Sequence, residues 1–176
     1  MIVVTGAPRT GTSLMMQTLI HLGKNSPAPA FLPIHDNIKE YNKNGFFEFD
    51  EETVNGVQSS KYKGKAIKLF GGQFFLTPKK YMDKVIWCKR DDSEALESYK
   101  PIHKKMGEML TPEMGYRLTK DLLNIINWED MPFDLLEVDL NSFKDNPKKT
   151  IDKICSFLGE DIDKKKKERA VKNINN

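Results

Sequence analysis

Short apolar runs alternate along the chain with longer segments in which apolar residues recur every three or four positions. The short runs are typical of buried strands, and the periodic segments are typical of helices that pack on a sheet. The runs that predict strands are Ile2–Val4, Lys65–Phe70, Lys84–Cys88 and Phe133–Val138. Strands separated by helices predict a three-layer α/β/α fold with a mostly parallel central sheet of four to five strands.

Periodic apolar positions predict a helix after most of these strands. The predicted helices run from Leu14 to Leu22, from Asp91 to Ile102 with a kink or interruption at Pro101, from Thr111 to about Asn127, and from Pro147 to Leu158. Gly23 and Gly159 follow two of them, at the position where a left-handed residue commonly ends a helix. Such helices would bury one apolar face against the sheet.

The pattern is irregular between the first helix and the second strand. Three prolines in Ser26–Pro33 predict a crossing loop, and a short polar helix is predicted near Asp36–Tyr41. Asn42–Glu48 predicts a turn followed by two aromatic residues, and Glu51–Ser59 shows a weak helical pattern. Far beyond this region, the charged tail from Glu160 onward is predicted to be solvated.

Composition limits the class of protein. A chain of 176 residues predicts one domain that spans residues 1–176, and its net charge of +3 favours anionic ligands over nucleic acid. Cys88 and Cys155 lie in apolar patterns without metal-ligand spacing, which predicts reduced core thiols and no metal site. No apolar stretch approaches the roughly 20 residues that span a bilayer, and a strand that begins at Ile2 leaves no room for a leader. We therefore expect a cytoplasmic protein without a membrane segment, whose oligomeric state stays open.

A glycine-bounded loop follows the first strand. Gly6 and Gly11 enclose four residues, the spacing of a P-loop that turns its backbone N–H groups toward a phosphate at the start of a helix. Thr12 stands where nucleotide triphosphatases have Lys, and Arg9 supplies a cation inside the loop instead. Because a guanidinium can bind phosphate or sulfate oxygens through two hydrogen bonds, the loop predicts an anion site.

These motifs resemble the sulfotransferases that use 3′-phosphoadenosine 5′-phosphosulfate (PAPS). The stretch APRTGTS is similar to the family signature that binds the 5′-phosphosulfate, and the matching residues are Arg9, Thr10, Gly11, Thr12 and Ser13. The stretch KVIWCKRDDSEALESY resembles a second signature, a strand that ends in Arg with a Ser eight residues later. Arg90 and Ser98 match it, and the resemblance implies that they bind the 3′-phosphate.

Two further stretches extend the resemblance over most of the chain. AIKLFGGQFFLTP is similar to a strand that supplies a catalytic Lys and a catalytic His; Lys68 matches the Lys, and Phe70 stands in the place of the His. Phe133–Gly159 resembles the late strand and the helix that ends in FLG. The sequence departs from the family at Leu14, where an aromatic residue is usual, and it has no Arg-Lys-Gly segment near its C-terminus for further 3′-phosphate contacts.

The resemblance implies sulfuryl transfer from PAPS to a hydroxyl or amine acceptor, with release of adenosine 3′,5′-bisphosphate (PAP) and without a metal. Arg9 and the loop amides would bind the phosphosulfate, and Lys68 would stabilise charge on the bridging oxygen. Because Phe70 replaces the His, the general base must come from elsewhere. Glu48 is predicted to be this base, with a pKa raised by burial beside two aromatic residues, and His35 is the second candidate.

Other interpretations stay open at this point. A P-loop nucleotide kinase or hydrolase is one alternative, although Thr12 and the lack of an apolar strand ending in Asp disfavour it. A non-catalytic nucleotide-binding module is another, and Phe70 favours it. Individual side chains also have structural explanations: Arg90 in a solvated ion pair, Lys68 as a surface strand residue, and Glu48 or His35 as turn or capping residues.

Overall fold

One parallel sheet forms the centre of the fold. A computed structural model describes residues 1–28, 30, 33–48, 62–106 and 110–174, so the weak helical pattern of Glu51–Ser59 lies outside the described residues. Its strands, paired in the order β2-β1-β3-β4, are β1 (Ile2–Gly6), β2 (Ala66–Lys68), β3 (Lys84–Lys89) and β4 (Asp134–Asp139). All three pairings are parallel, which confirms the predicted α/β fold.

Alternation along β1 separates two apolar cores. Ile2 and Val4 face a core that includes Met15, Met16 and Leu19. Met1 and Val3 face the opposite core, where Phe74 and Leu123 are buried. Because successive side chains of a strand point to opposite faces, a strand that is apolar throughout must be covered on both sides. The sheet is therefore the middle of three layers, as predicted.

Four of the seven helices in the described part of the chain coincide with the periodic segments that predict them. Their bounds are α1 (Thr12–His21), α2 (Gly71–Leu76), α3 (Asp92–Met106), α4 (Pro112–Asn124), α5 (Leu140–Asp145), α6 (Pro147–Leu158) and α7 (Lys164–Ile174). Short 3₁₀ helices cover Pro33–Tyr41, Lys79–Tyr81 and Trp128–Asp130. Gly23 and Gly159 adopt the predicted left-handed conformation after α1 and α6.

Three segments differ from the prediction. Helix α3 is not interrupted at Pro101, one of the two outcomes predicted there, and continues to Met106. The two glycines after β2, predicted as a turn, begin helix α2, whose first turn is closed by the Phe70 N–H donating to Gln73 Oε1 at 3.3 Å. The tail after Glu160 is not solvated throughout, because α7 packs on α1 and buries Ala170 in the core that contains Ile2 and Val4.

Both cysteines are free and buried, as predicted for core thiols. Burial raises the pKa of the Cys88 thiol to about 12, although the nearby charge of Lys68 lowers it. Within the described part of the chain, no helix is both long and apolar enough to cross a membrane.

Candidate functional site

A cleft of about 700 Å³ lies at the edge of the sheet where the strands end. This is the edge at which open parallel sheets bind their ligands. The predicted site residues that line the cleft are Arg9, Gly11, Thr12, Ser13, His35, Glu48, Lys68, Arg90 and Ser98. Residues drawn from five separate stretches of sequence thus meet around one cavity.

The loop between β1 and α1 has an unusual backbone that depends on its glycines. Arg9 and Gly11 both have positive φ angles, 66° and 94°. A side chain at Gly6 would lie 2.4 Å from Thr10 Oγ1 and 2.6 Å from the carbonyl oxygen of Cys88, so only glycine fits there. The left-handed turns place the loop directly before the first amides of α1, which have no intrahelical acceptor and suit an anion.

Thr10 shapes this loop from within. It is buried, and its hydroxyl donates to the carbonyl oxygen of Ala7 at 2.8 Å. Its backbone N–H donates to the same oxygen at 3.3 Å. Of the loop residues predicted to bind the anion, Thr10 is the one whose side chain is turned away from the cleft.

Arg9 connects three elements around the cleft. Its Nε donates to Ser98 Oγ on α3 at 3.0 Å, and its terminal nitrogens each lie 3.5 Å from the carbonyl oxygen of Tyr41. Burial lowers the pKa of Arg9, and the charge of nearby Arg90 lowers it further. Two guanidinium groups that line one cleft favour a multiply charged anion there.

Arg90 projects from the end of β3 and is held by a carboxylate. Its Nε lies 3.1 Å from Glu94 Oε2, one turn into α3. Asn141 Nδ2 donates to the same oxygen at 3.1 Å. The charge of Arg90 also acts on Asp91, whose Oδ1 accepts from the backbone amides of Ser93 and Glu94 at the start of α3.

Lys68 is the most deeply placed cation of the site. Its side chain is 1% exposed, and Nζ lies 3.0 Å from Glu48 Oε1 and 3.2 Å from Ser13 Oγ. Nζ also lies 4.6 Å from the centroid of the Phe70 ring. Burial lowers the pKa of Lys68, and the Glu48 carboxylate opposes this effect. These contacts exclude the interpretation of Lys68 as a surface strand residue.

Glu48 lies between the two other candidate catalytic residues. Its Oε1 accepts from Lys68, and its Oε2 lies 3.1 Å from His35 Nε2. Burial raises the pKa of Glu48, but the charge of Lys68 and the hydrogen bonds from His35 and Lys68 outweigh it, so the net pKa is lowered. The prediction of a raised pKa is therefore wrong in this state, because the Glu48 carboxylate also contacts the Lys68 ammonium.

Backbone strain and aromatic packing hold Glu48 in place. Phe47, the preceding residue, has a φ of 56°, a left-handed conformation that non-glycine residues rarely adopt. Phe46 packs on the His35 ring with 4.5 Å between centroids, and its carbonyl oxygen accepts from Ser13 Oγ at 3.2 Å. Strained backbone next to a candidate catalytic residue is a common feature of functional sites.

Several residues of the cleft were not predicted from the sequence. Apolar side chains form one of its walls: Ile38, Tyr41, Phe46, Phe70, Tyr99, Ile102, Met106, Leu110 and Leu118. Lys144 and Leu140 line it from α5. Glu94, which contacts Arg90 but does not line the cleft, is indicated by its spacing of four residues from Arg90 on a predicted helix. Nothing in the sequence indicates that the Tyr41 carbonyl contacts Arg9.

Comparison with solved structures identifies the architecture around this cleft. The chain is similar to mouse sulfotransferase SULT7A1 complexed with PAP, with a TM-score of 0.61 and 15% identity over 99% of this chain. It is also similar to retinol dehydratase in complex with androsterone and PAP, with a TM-score of 0.56 and 12% identity over 99% of this chain. The chain has the sulfotransferase fold.

The likeness is one of structure rather than of sequence. No protein-family model matches the chain, and no curated protein matches it in sequence. The chain spans 63% of the sulfotransferase structure and 64% of the retinol dehydratase structure, less than two thirds of either. At such identities the sulfotransferase fold is shared, while the chemistry must be argued from the side chains in the cleft.

Proposed function

We propose that the protein transfers a sulfuryl group from PAPS to a hydroxyl or amine acceptor, with PAP as the other product. The observation that carries this proposal is the position of Lys68. Its buried ammonium lies between the Ser13 hydroxyl of the anion loop and the Glu48 carboxylate. A cation at the junction of an anion site and an acid–base group suits a transfer reaction better than simple binding.

The cleft fits a nucleotide that has phosphates at both ends. Arg9 and the first amides of α1 would form one anion site, and Arg90 with Ser98, which line the same cleft, would form a second. A volume of about 700 Å³ lies within the range of roughly 300 to 1,000 Å³ that is typical of ligand sites. Both structural neighbours were solved with PAP, a nucleotide with two phosphates, which supports the same ligand class here.

Lys68 would act on the leaving group. The acceptor forms a bond to sulfur while the bond from sulfur to the bridging phosphate oxygen breaks, so negative charge grows on that oxygen. An ammonium in a buried, water-poor site stabilises such charge more strongly than it would in water. Ser13, which accepts from Lys68 and belongs to the loop, fixes the ammonium on the side of the cleft that the phosphosulfate would occupy.

Glu48 would accept the proton of the acceptor, and His35 would hold Glu48 in position. In the described state both carboxylate oxygens are engaged, one by Lys68 and one by His35. If Lys68 turns toward the bridging oxygen, Glu48 Oε1 loses the contact that lowers its pKa most, while the burial that raises it remains. Binding of the donor would thus make Glu48 a stronger base at the moment it is needed.

Two rival functions make different demands on the same cleft. A kinase or hydrolase would need a carboxylate free to hold magnesium beside the loop. Glu48 is the one acidic side chain among the described residues that line the cleft, and Lys68 and His35 already engage it. A non-catalytic module would bind the nucleotide without requiring the contacts of Glu48 with Lys68 and His35.

Titration calorimetry and turnover assays separate these functions. We expect the protein to bind PAP without magnesium and to bind ATP with magnesium far more weakly. Incubation with PAPS and a panel of phenols, alcohols and amines should then give a sulfated product and PAP in equal amounts. Preference for ATP with magnesium would overturn the proposal in favour of a kinase or hydrolase, and PAP binding without product from any acceptor class would favour the non-catalytic module.

A further inference from the structure

We infer that Lys144 is the second cation of the 3′-phosphate subsite, beside Arg90. This inference rests on the proposed function, because it assigns one end of the nucleotide that the cleft would bind. The sequence has no Arg-Lys-Gly segment near its C-terminus, and no motif in it marks Lys144. The assignment comes from where α5 lies in the fold.

Helix α5 presents one edge to the cleft. Leu140 and Lys144 are four residues apart on this helix, and both line the cleft. Residues at this spacing lie on the same face of a helix. Leu140 packs closely over the anion loop, since its Cδ1 lies 2.6 Å from the position that a Cβ of Gly11 would occupy. Lys144 therefore extends the side of the cleft that begins at the loop.

The carboxylate of Glu94 contacts both Arg90 and the first turn of α5. Glu94 Oε2 lies 3.1 Å from Arg90 Nε and accepts from Asn141 Nδ2 at 3.1 Å. Asn141 follows Leu140 directly, so the start of α5 is held next to the Arg90 side chain. In addition, Asp139 Oδ1 accepts from the Ser142 N–H at 2.8 Å and fixes the first turn of the helix.

The charge balance of this subsite calls for another cation. A phosphate monoester has a charge of roughly −1.5 to −2 at neutral pH. Arg90 shares its charge with Glu94, and the Ser98 hydroxyl already accepts from Arg9. Lys144 is exposed, and among the described residues no carboxylate is paired with it. Its ammonium is thus available to a ligand in the cleft.

The strand order indicates which end of the nucleotide Lys144 would bind. Strands β2, β1, β3 and β4 lie side by side in this order. Lys68 is on β2, the anion loop follows β1, Arg90 follows β3, and Lys144 is on the helix that follows β4. Lys144 and Lys68 therefore lie at opposite ends of this sheet edge. Sulfuryl transfer would take place at the Lys68 end, so Lys144 would bind the other end of the nucleotide, which carries the 3′-phosphate.

The test compares two nucleotides that differ only in the 3′-phosphate. Affinities for PAP are measured by calorimetry, and those for AMP by displacement of bound PAP, for the wild-type protein and for Lys144→Ala. We expect Lys144→Ala to weaken PAP binding by roughly fivefold to fiftyfold, as for a partly exposed charge-assisted contact, and to change AMP binding less than twofold. Lys144→Arg should retain most of the affinity for PAP.

Lys148→Ala is the matched control, because Lys148 is an exposed lysine at the start of α6 that does not line this cleft. It removes the same charge and should leave both affinities unchanged. Equal losses of PAP and AMP in Lys144→Ala, or no loss of either, would overturn the inference while leaving the proposed function intact. A wild-type protein that binds PAP no better than AMP would instead remove the 3′-phosphate subsite itself, and the proposed function would fail with it.

Discussion

Arg9 Nε donates a hydrogen bond to Ser98 Oγ at 3.0 Å and so joins two motifs that are 89 positions apart in the sequence. Arg9 belongs to the loop that resembles the 5′-phosphosulfate signature, and Ser98 belongs to the stretch that resembles the 3′-phosphate signature. The two proposed subsites therefore share a hydrogen bond. Because Ser98 accepts from the Arg9 guanidinium, we expect a change at Ser98 to affect binding at both phosphates of the nucleotide.

Arg9→Ala is expected to weaken binding of PAP and of PAPS alike. It removes charge-assisted hydrogen bonds worth about 1.5 to 3 kcal/mol, or roughly tenfold to 150-fold in affinity. Calorimetry with PAP measures the loss directly. Arg117→Ala, which removes an exposed arginine on α4 outside the cleft, should leave the affinity unchanged. An Arg9→Ala protein that binds PAP normally would contradict the assignment of the loop as an anion site.

Arg90→Ala and Ser98→Ala are expected to differ in their selectivity. Arg90 pairs with Glu94 and, among the described residues, makes no hydrogen bond to the loop, although its charge acts on Arg9. Its loss should therefore weaken binding of PAP more than binding of adenosine 5′-phosphosulfate, which lacks the 3′-phosphate. Loss of the Ser98 hydroxyl also frees Arg9, so it should weaken binding of both ligands. Affinities of both variants for PAP and for adenosine 5′-phosphosulfate test this expectation. If Arg90→Ala lost the same affinity for both ligands, Arg90 would support the fold rather than bind the 3′-phosphate.

The sheet and the helices that cover it could be predicted because their signals are local. Ile2–Val4 is apolar on both faces, and Pro147 and Gly159 bound a helix whose apolar positions repeat regularly. The packing of helix α7 could not be predicted because lysines dominate its sequence: Ala170 is fully buried, and Val171 and Ile174 pack against the core only in part. Helix α2 was missed because two glycines at its start have low intrinsic helix propensity.

The residues of the candidate site could be predicted from the sequence, but the contacts between them could not. Motif spacing is enough to select Arg9, Arg90 and Lys68, because strand ends and loop lengths are visible in the sequence. The contact of Glu48 with both Lys68 and His35 depends on how an irregular segment folds back over α1, which no periodicity encodes. For this reason the sequence predicts the wrong sign for the Glu48 pKa shift, although the side chain is partly buried, with 26% of it exposed.

The Glu48 carboxylate is expected to stabilise the fold in a pH-dependent way. Its pKa is lowered from 4.5 in the folded protein, so its contribution is present above about pH 4.5 and is lost as the pH falls through the lower folded value. At neutral pH, Glu48→Gln leaves the buried Lys68 without its counter-charge and should cost about 1 to 3 kcal/mol of unfolding free energy. This difference from wild type should shrink on acidification.

Denaturant titrations at pH 7 and at pH 3.5 to 4 test the expectation. Glu160→Gln provides the control, because Glu160 pairs with Lys24 at the surface and is 53% exposed. Its loss should change the unfolding free energy by less than about 1 kcal/mol at either pH. A Glu48→Gln difference that stays constant with pH would mean that the Lys68–Glu48 pair does not determine the ionisation of Glu48.

The chemical step is expected to depend on Glu48 and Lys68 while PAP binding does not. Glu48→Gln keeps the size of the side chain but cannot accept a proton, so kcat/KM for a hydroxyl acceptor should fall roughly 100-fold to 10,000-fold.

Lys68→Met should also lower turnover, with PAP affinity within about tenfold of wild type. Glu40→Gln is the control, since Glu40 is an exposed carboxylate that pairs with Lys105 and does not line the cleft, and it should keep full turnover. If Glu48→Gln also keeps full turnover, His35 becomes the base, and His35→Gln should then abolish the reaction. If Lys68→Met turns over normally as well, the resemblance to sulfotransferases extends only to donor binding, because neither partner of the buried ion pair would then take part in the transfer.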